Sequence, residues 1–173
     1  MLIGEKVLLR ARQESDVAVL HAELYEDVAV RTRTDGRPWR PLPVEASPFR
    51  VTGAEESAVF SAVERASGEL AGAAVLWGVN THHRSAHLGM SLRPAVRGRG
   101  FGTDVVRVLC RYGFEVRGLH RLQVDTLADN TAMIGAAERA GFRVEGTMRG
   151  AAWVSGRFVD EVVLGLLAED WAP

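Results

Sequence analysis

Residues 92–103, LRPAVRGRGFGT, constrain this chain more than any other stretch. An apolar run ends and Pro94 breaks it. Glycines then stand at 98, 100 and 102, and an amphipathic helical pattern begins at once. Alternate glycines permit backbone angles closed to other residues and let a ligand approach the main chain. The first N–H groups of a helix have no intrahelical partner, and with the helix dipole they favour an anion. Arg97 and Arg99 add positive charge beside them. The segment therefore predicts a strand-to-helix turn built for a phosphate-like group.

The flanking patterns say what this turn joins. Residues 6–12 predict a first strand, and Ser15 and Asp16 offer N-cap chemistry for a helix to about Glu26. From Val28 to Phe49 the pattern dissolves among Pro38, Pro41, Pro43 and Pro48, around Trp39. Strands are expected at Ser57–Arg65, Leu70–Val79 and Ala86–Leu92, joined as an antiparallel meander. After the turn, Val105, Val108, Leu109, Tyr112 and Val116 recur at helical spacing to Arg117, with Asp104, Arg107, Arg111 and Glu115 on another face. A strand at His120–Leu127, a helix capped by Asp129 or Asn130 and stopped at Gly141, and strands at Phe142–Arg149 and Arg157–Leu167 complete the order. The strand–helix–strand unit over 86–127 requires a parallel pair inside the sheet.

Composition narrows the classes. The apolar share is 47% and 21 basic residues face 22 acidic ones, so a polyanion binder working by bulk charge is excluded and no nucleic-acid partner is expected. Lys6 is the only lysine, leaving almost no candidate for a catalytic or phosphate-gripping lysine. Cys110 is alone, which excludes an intrachain disulfide and a multi-cysteine zinc site, and its surroundings predict an inert core thiol. The chain shows no signal-peptide pattern and no apolar run near the ~20 residues of a membrane span. A cytoplasmic protein of one domain, residues 1–173, is expected, with no membrane partner. His82 and His83 are read as a solvated turn, and no metal site is expected.

Known phosphate loops separate cleanly here. The Walker A pattern is absent, and the dinucleotide fingerprint G-x-G-x-x-G fails at Thr103. Arg97, Gly100 and Gly102 match [Q/R]-x-x-G-x-[G/A], the pyrophosphate loop of the GNAT acyltransferase superfamily. Downstream, Asn130, Gly141-Phe142, Glu145-Gly146, Arg149, Gly156, Asp160 and Trp171 continue the likeness. Nearly the whole chain resembles that superfamily, and within it the ribosomal-protein N-terminal acetyltransferase branch. The resemblance implies an α+β GNAT fold: a mixed, mostly antiparallel twisted sheet of about seven strands flanked by helices, with a splayed central parallel pair.

The same resemblance implies the site. Acetyl-CoA would lie as cosubstrate between Ala86–Leu92 and His120–Leu127. Backbone of Met90, Ser91 and Leu92 would pair with the pantetheine arm, and the Leu92 N–H would polarise the thioester carbonyl. The backbone of Arg97, Gly98, Arg99, Gly100, Phe101, Gly102 and Thr103 would hold the pyrophosphate. Asn130 would bond the pantetheine or the strand opening, or simply cap its helix. Asp125 and His87 are the two candidates for the base. The usual serine and tyrosine acids are replaced by Met133 and Ala137. The implied activity is transfer of acetyl to a primary amine, of a protein N-terminus or a small molecule, by direct attack. A catalytically weak CoA-binding or partner-binding module is the alternative. A nucleotide-binding enzyme is a third reading, and self-association into a homodimer through the last strands is a further expectation.

Overall fold

A computed structural model describes residues 1–50 and 57–172. The described residues form an eight-stranded sheet in the order β1-β2-β3-β4-β5-β6-β8-β7. The strands are β1 (Leu2–Ile3), β2 (Val7–Ala11), β3 (Ala58–Glu64), β4 (Leu70–Asn80), β5 (Ser85–Leu92), β6 (Arg121–Leu127), β7 (Arg143–Val154) and β8 (Arg157–Leu167). All neighbours are antiparallel except β5 and β6. The short β1 is the strand that the hydropathy pattern misses, and β7 runs five residues further than expected.

Four α-helices flank the sheet among the described residues: α1 (Glu14–Leu20), α2 (Val28–Thr34), α3 (Phe101–Arg111) and α4 (Thr131–Glu138). Helix α1 is capped by Gln13 rather than by Ser15 or Asp16. Asp16 lies three residues in, where its carboxylate accepts the Gln13 N–H at 2.8 Å. Helix α2 corrects the expectation of an irregular stretch from Val28. Val-Ala-Val-Arg-Thr-Arg-Thr is a poor helix former because its β-branched residues lose rotamer freedom. It is helical because the Asp27 carboxylate accepts the N–H groups of Ala29 and Val30, and Arg31 pairs with Asp35 at 2.7 Å.

Helices α3 and α4 cover one face of the sheet. Leu76, Leu88, Leu122, Val124, Leu164 and Leu166 pack there against Val105, Val106, Leu109, Ala136 and Ala137, all 3% exposed or less. Helix α1 and the π-helical turn His21–Tyr25 that follows it cover part of the other face, with Leu20 and Leu24 over Ala73. The helical spacing fails at one residue: Val116 is 63% exposed. Helix α3 passes into a π-helical turn at Tyr112–Val116, and its wider spacing turns Val116 off the apolar stripe. Asp104 also departs from its expected exposed face. It is buried, and its carboxylate accepts the N–H groups of Glu5, Lys6 and Val7 at 3.0, 2.7 and 2.8 Å. That bond set fixes the first turn of α3 to the start of β2. Cys110 is fully buried, and loss of solvent pushes its thiol up to about 12, so it is inert as a nucleophile.

Asp16 contributes to the acid sensitivity of the fold. Burial opposes its ionisation, but paired hydrogen bonds from Arg10 at 2.6 and 2.8 Å, the Gln13 N–H and the Ser61 hydroxyl at 2.7 Å outweigh it, lowering the carboxyl from 3.8 to about 2. A depressed native value stabilises above the unfolded-state value and loses that contribution as pH falls through the native one. Stability should therefore drop by about 2 kcal/mol between about pH 5 and pH 1 from this group alone. Denaturant titrations of wild type and Asp16→Asn across that window check it. The variant should be less stable at neutral pH and flatter in acid; equal slopes would refute the assignment.

Candidate active site

The centre of the molecule is a fork. Strands β5 and β6 pair in parallel through Ser85–Arg121, Ala86–Leu122 and His87–Gln123, and there the ladder ends. Both strands continue, β5 to Leu92 and β6 to Leu127. The register on their outer sides decides what faces the opening. The Arg93 N–H donates to Ala71 O at 2.9 Å, so Ala71–Arg93 is a hydrogen-bonded pair of the β4–β5 ladder. In an antiparallel ladder these pairs alternate. Ser91 and Gly89 therefore turn their backbone to β4, while Met90 and Leu92 turn theirs into the fork. The Ala128 N–H donates to Asp160 O, and by the same alternation Asp125 and Leu127 face the fork from β6. Ser91 thus differs from the expectation: its N–H and C=O belong to the Ala73 pairing.

The mouth of the fork is the glycine-rich turn. Residues Pro94–Val96 make one tight turn, and Gly98 and Gly100 follow with φ of +75° and +83°, Gly100 being the cap of α3. A side chain at Gly98 would meet nothing within 4 Å, so this glycine is required by backbone conformation rather than by crowding. At Gly102 a Cβ would lie 3.0 Å from Met90 Cε and 3.8 Å from the Ala136 Cβ, so α3 sits close against β5 and α4. Phe101 is buried, and the Thr103 hydroxyl accepts from Arg139 Nε at 3.1 Å. The expected positive rim is only half there. Arg99 is turned to Glu64 at 2.6 Å and lies 4.8 Å over the Phe101 ring, which neutralises it. Arg97 is exposed, with Nε donating to Leu92 O at 3.1 Å. Lys6, set aside in the sequence, donates from Nζ to Arg99 O at 2.9 Å and lies beside Gly100. No local pattern could reveal that contact across more than ninety residues. A cleft of about 540 Å³ opens between Lys6, Glu64, Arg65 and Arg99, on the β2–β3 side of the turn rather than in the fork.

At the apex of the fork stand both base candidates. His87 Nδ1 lies 2.6 Å from Asp125 Oδ2, and Gln123 Nε2 donates to Asp125 Oδ1 at 2.8 Å. A carboxylate accepts only, so Nδ1 carries the proton and Nε2 keeps its lone pair when the ring is neutral. Trp77 stacks on the imidazole at 4.3 Å between centroids and fixes its plane. Arg121 donates to Gln123 Oε1 at 3.2 Å and pairs with Glu145. Burial opposes ionisation of Asp125, but the hydrogen bonds from His87 and Gln123 and the charges of His87 and Arg121 hold its carboxyl below the ordinary value. Asp125 is therefore a weaker base than an ordinary carboxylate and better fitted to orient His87.

Two other expectations shift with the geometry. An extended strand rises about 3.4 Å per residue, so Leu92 lies about 17 Å from His87 and Met90 about 10 Å. Of the two fork-facing donors, the Met90 N–H is therefore the nearer to His87 and the Leu92 N–H the farther. Asn130 accepts the Met133 N–H at 3.2 Å and donates to Thr126 Oγ1 at 3.0 Å, so both ends of its side chain tie α4 to β6. Met133 and Ala137 are buried and offer no acid. His82 and His83 are exposed, and among the described residues no three metal-ligating groups converge.

A parallel pair forced apart above a glycine-rich helix start defines an acyltransferase fold, and residues 6–143 match the family model described as the acetyltransferase (GNAT) domain. The chain belongs to the GNAT acetyltransferase family. It is 29% identical over 98 residues to a spermidine N(1)-acetyltransferase of Vibrio cholerae, covering 57% of each chain. It is 32% identical over 87 residues to the probable N-acetyltransferase YjcK of Bacillus subtilis, covering 50% of this chain and 48% of the other. The chain thus spans about half the length of these curated relatives. Among solved structures, RimL, a ribosomal L7/L12 α-N-protein acetyltransferase in complex with coenzyme A, superposes with TM-score 0.82 at 22% identity over 95% of this chain and 96% of that one. Spermidine N-acetyltransferase from Vibrio cholerae with CoA and spermine gives 0.78 at 19% identity over 95% and 97%.

The apex dyad can be tested alone. In His87→Ala the Asp125 carboxyl should titrate higher than in wild type, because two of the influences that lower it vanish while its burial persists. Carboxyl-carbon NMR of Asp125 reads this directly. An unchanged value would show that the two side chains do not interact.

Proposed function

We propose that the chain is an acyl-CoA-dependent N-acyltransferase that acts in the cytoplasm and moves acetyl from acetyl-CoA to a primary amine by direct attack. The carrying observation is the fork: backbone N–H groups of Met90 and Leu92 line it, an imidazole stands at its apex and a helix N-terminus at its mouth. In this reading the pyrophosphate rests on the N–H groups from Gly98 to Thr103, and the pantetheine arm runs along β5. The amine nitrogen attacks the thioester carbon and the C–N bond forms. Met90 N–H holds the developing oxyanion. His87 Nε2 accepts the amine proton through a water, while Asp125 holds the ring. The C–S bond breaks, and CoA leaves as a thiolate whose pKa suits protonation by water, since Met133 and Ala137 supply no acid. The acceptor is a small amine or a protein N-terminus. The lack of both acids keeps the alternative of a weak CoA-binding module in view, and turnover decides between them.

Thiol release from acetyl-CoA over a panel of amines, together with CoA binding by calorimetry, tests this reading. Gly100→Glu should abolish CoA binding, because it forces φ of +83° on a side chain and brings a negative charge to the phosphate site. His87→Ala should keep CoA affinity and lose about a hundredfold in turnover. Unchanged CoA affinity in Gly100→Glu would sink the loop assignment. CoA binding without release for any amine would favour the module.

The homodimer we infer uses β7, one of the two edge strands of the sheet among the described residues. Trp153 on β7 and Phe158 on the adjoining β8 pack edge-to-face at 4.9 Å and remain 61% and 68% exposed. A second copy adding strand to strand would cover them. Sedimentation should show a dimer that Trp153→Ser/Phe158→Ser converts to monomer. A monomeric wild type would overturn the assignment.

A further inference from the structure

The segment 35–50 passes as a strap over the ends of α1 and α2, and it is held by unusual means. Tyr25 donates its hydroxyl to Arg40 O at 2.8 Å, and Trp39 Nε1 donates to Tyr25 O at 3.0 Å. His21 Nε2 lies 3.1 Å from Leu42 O, and Arg12 donates to Phe49 O at 2.9 Å. Among the described residues, three buried side-chain nitrogens have no hydrogen-bond partner: Arg12 Nε, His21 Nδ1 and Arg31 Nε. Arg12 and His21 bond the strap directly, and Arg31 pairs with its first residue, Asp35. Buried polar atoms without partners are costly and rare, and such a cluster calls for a reason.

The strap, together with Tyr25 and Arg31, lines a cavity of about 300 Å³ in which Arg31, Arg37 and Arg40 stand around Tyr25, Pro38 and Leu42. Arg31 is only 6% exposed, and it lines this cavity with a guanidinium whose Nε is buried without a partner. One carboxylate serves two of the three guanidiniums: Asp35 pairs with Arg31 at 2.7 Å and with Arg37 at 2.6 Å. Among the described residues Arg40 pairs with no carboxylate, so the described lining keeps an excess of two positive charges. Guanidiniums match carboxylate and phosphate oxygens in paired geometry.

We propose that this cavity binds a small amphipathic anion, with a carboxylate or phosphate on Arg31 and Arg40 and an apolar body against Tyr25, Pro38 and Leu42. The volume suits a single ring with a short acidic arm. The site is separate from the fork and stands whether or not the chain transfers acyl groups. The anion arrives either as the tail of the amine acceptor or as a molecule of its own, and both present the same chemistry to the pocket.

Amide NMR titrations of the full chain with phenyl phosphate, phenylacetate, benzyl alcohol and benzylamine, with saturating CoA present, test it. The two anions should bind saturably, with shifts at Tyr25, Arg31 and Arg40, and the alcohol and amine should not. Arg40 is exposed, so Arg40→Gln should fold normally and weaken both anions about tenfold, while Arg40→Lys should restore part of the affinity. Equal binding by benzyl alcohol, shifts confined to other residues, unchanged affinity in Arg40→Gln, or no saturable binding would each overturn the proposal. A further arm separates the sources. If 4-(aminomethyl)benzoate is acetylated with a KM raised in Arg40→Gln, the anion belongs to the acceptor. If it binds in the pocket unmodified, the anion is a separate ligand.

Discussion

Everything around the candidate site follows from two parallel strands that stop pairing. A crossover helix must return the chain to the same end of the sheet, so β5 and β6 run side by side. Their outer edges stay in full antiparallel ladders with β4 and β8, so neither strand can rotate to re-pair beyond His87–Gln123. Backbone polar groups then line a gap inside an otherwise continuous sheet. Buried main-chain donors need partners, and a ligand with amide groups of its own can pair with them as a missing strand would. The fork is thus a recognition element made by topology, before any side chain contributes.

Side chains act where the gap closes. Trp77, His87, Asp125 and Gln123 all project from one face, because pairs across the β4–β5 and β5–β6 ladders share a side. Each member restrains the next by a stack or a hydrogen bond. Such a connected network holds a ring in one tautomer and one plane better than any single contact does.

The parts legible in the sequence are local. Glycines at 98, 100 and 102 with an amphipathic run behind them reveal a turn and a helix start, because backbone conformation and dipole depend on neighbours in sequence. The order of strands and the parallel pair were legible for the same reason. What escaped depends on contacts between distant segments or on phase. Val116 leaves the core because a π turn shifts the helical period by a fraction of a turn. Helix α2 forms against its own propensities through a cap and an ion pair. The neutralisation of Arg99 by Glu64 and the turning of the Ser91 backbone to β4 follow from tertiary placement and ladder parity, and neither leaves a mark in the linear pattern.

The bond from Lys6 to the loop carbonyl has a practical side. In a chain whose cationic surface is almost wholly guanidinium, one side chain alone is a primary amine, and it lies against the glycine-rich turn. Amine-selective reagents, which pass over arginine, therefore address a single side-chain position in this molecule. Its rate of modification becomes a chemical gauge of how the turn is held, obtained without altering the sequence.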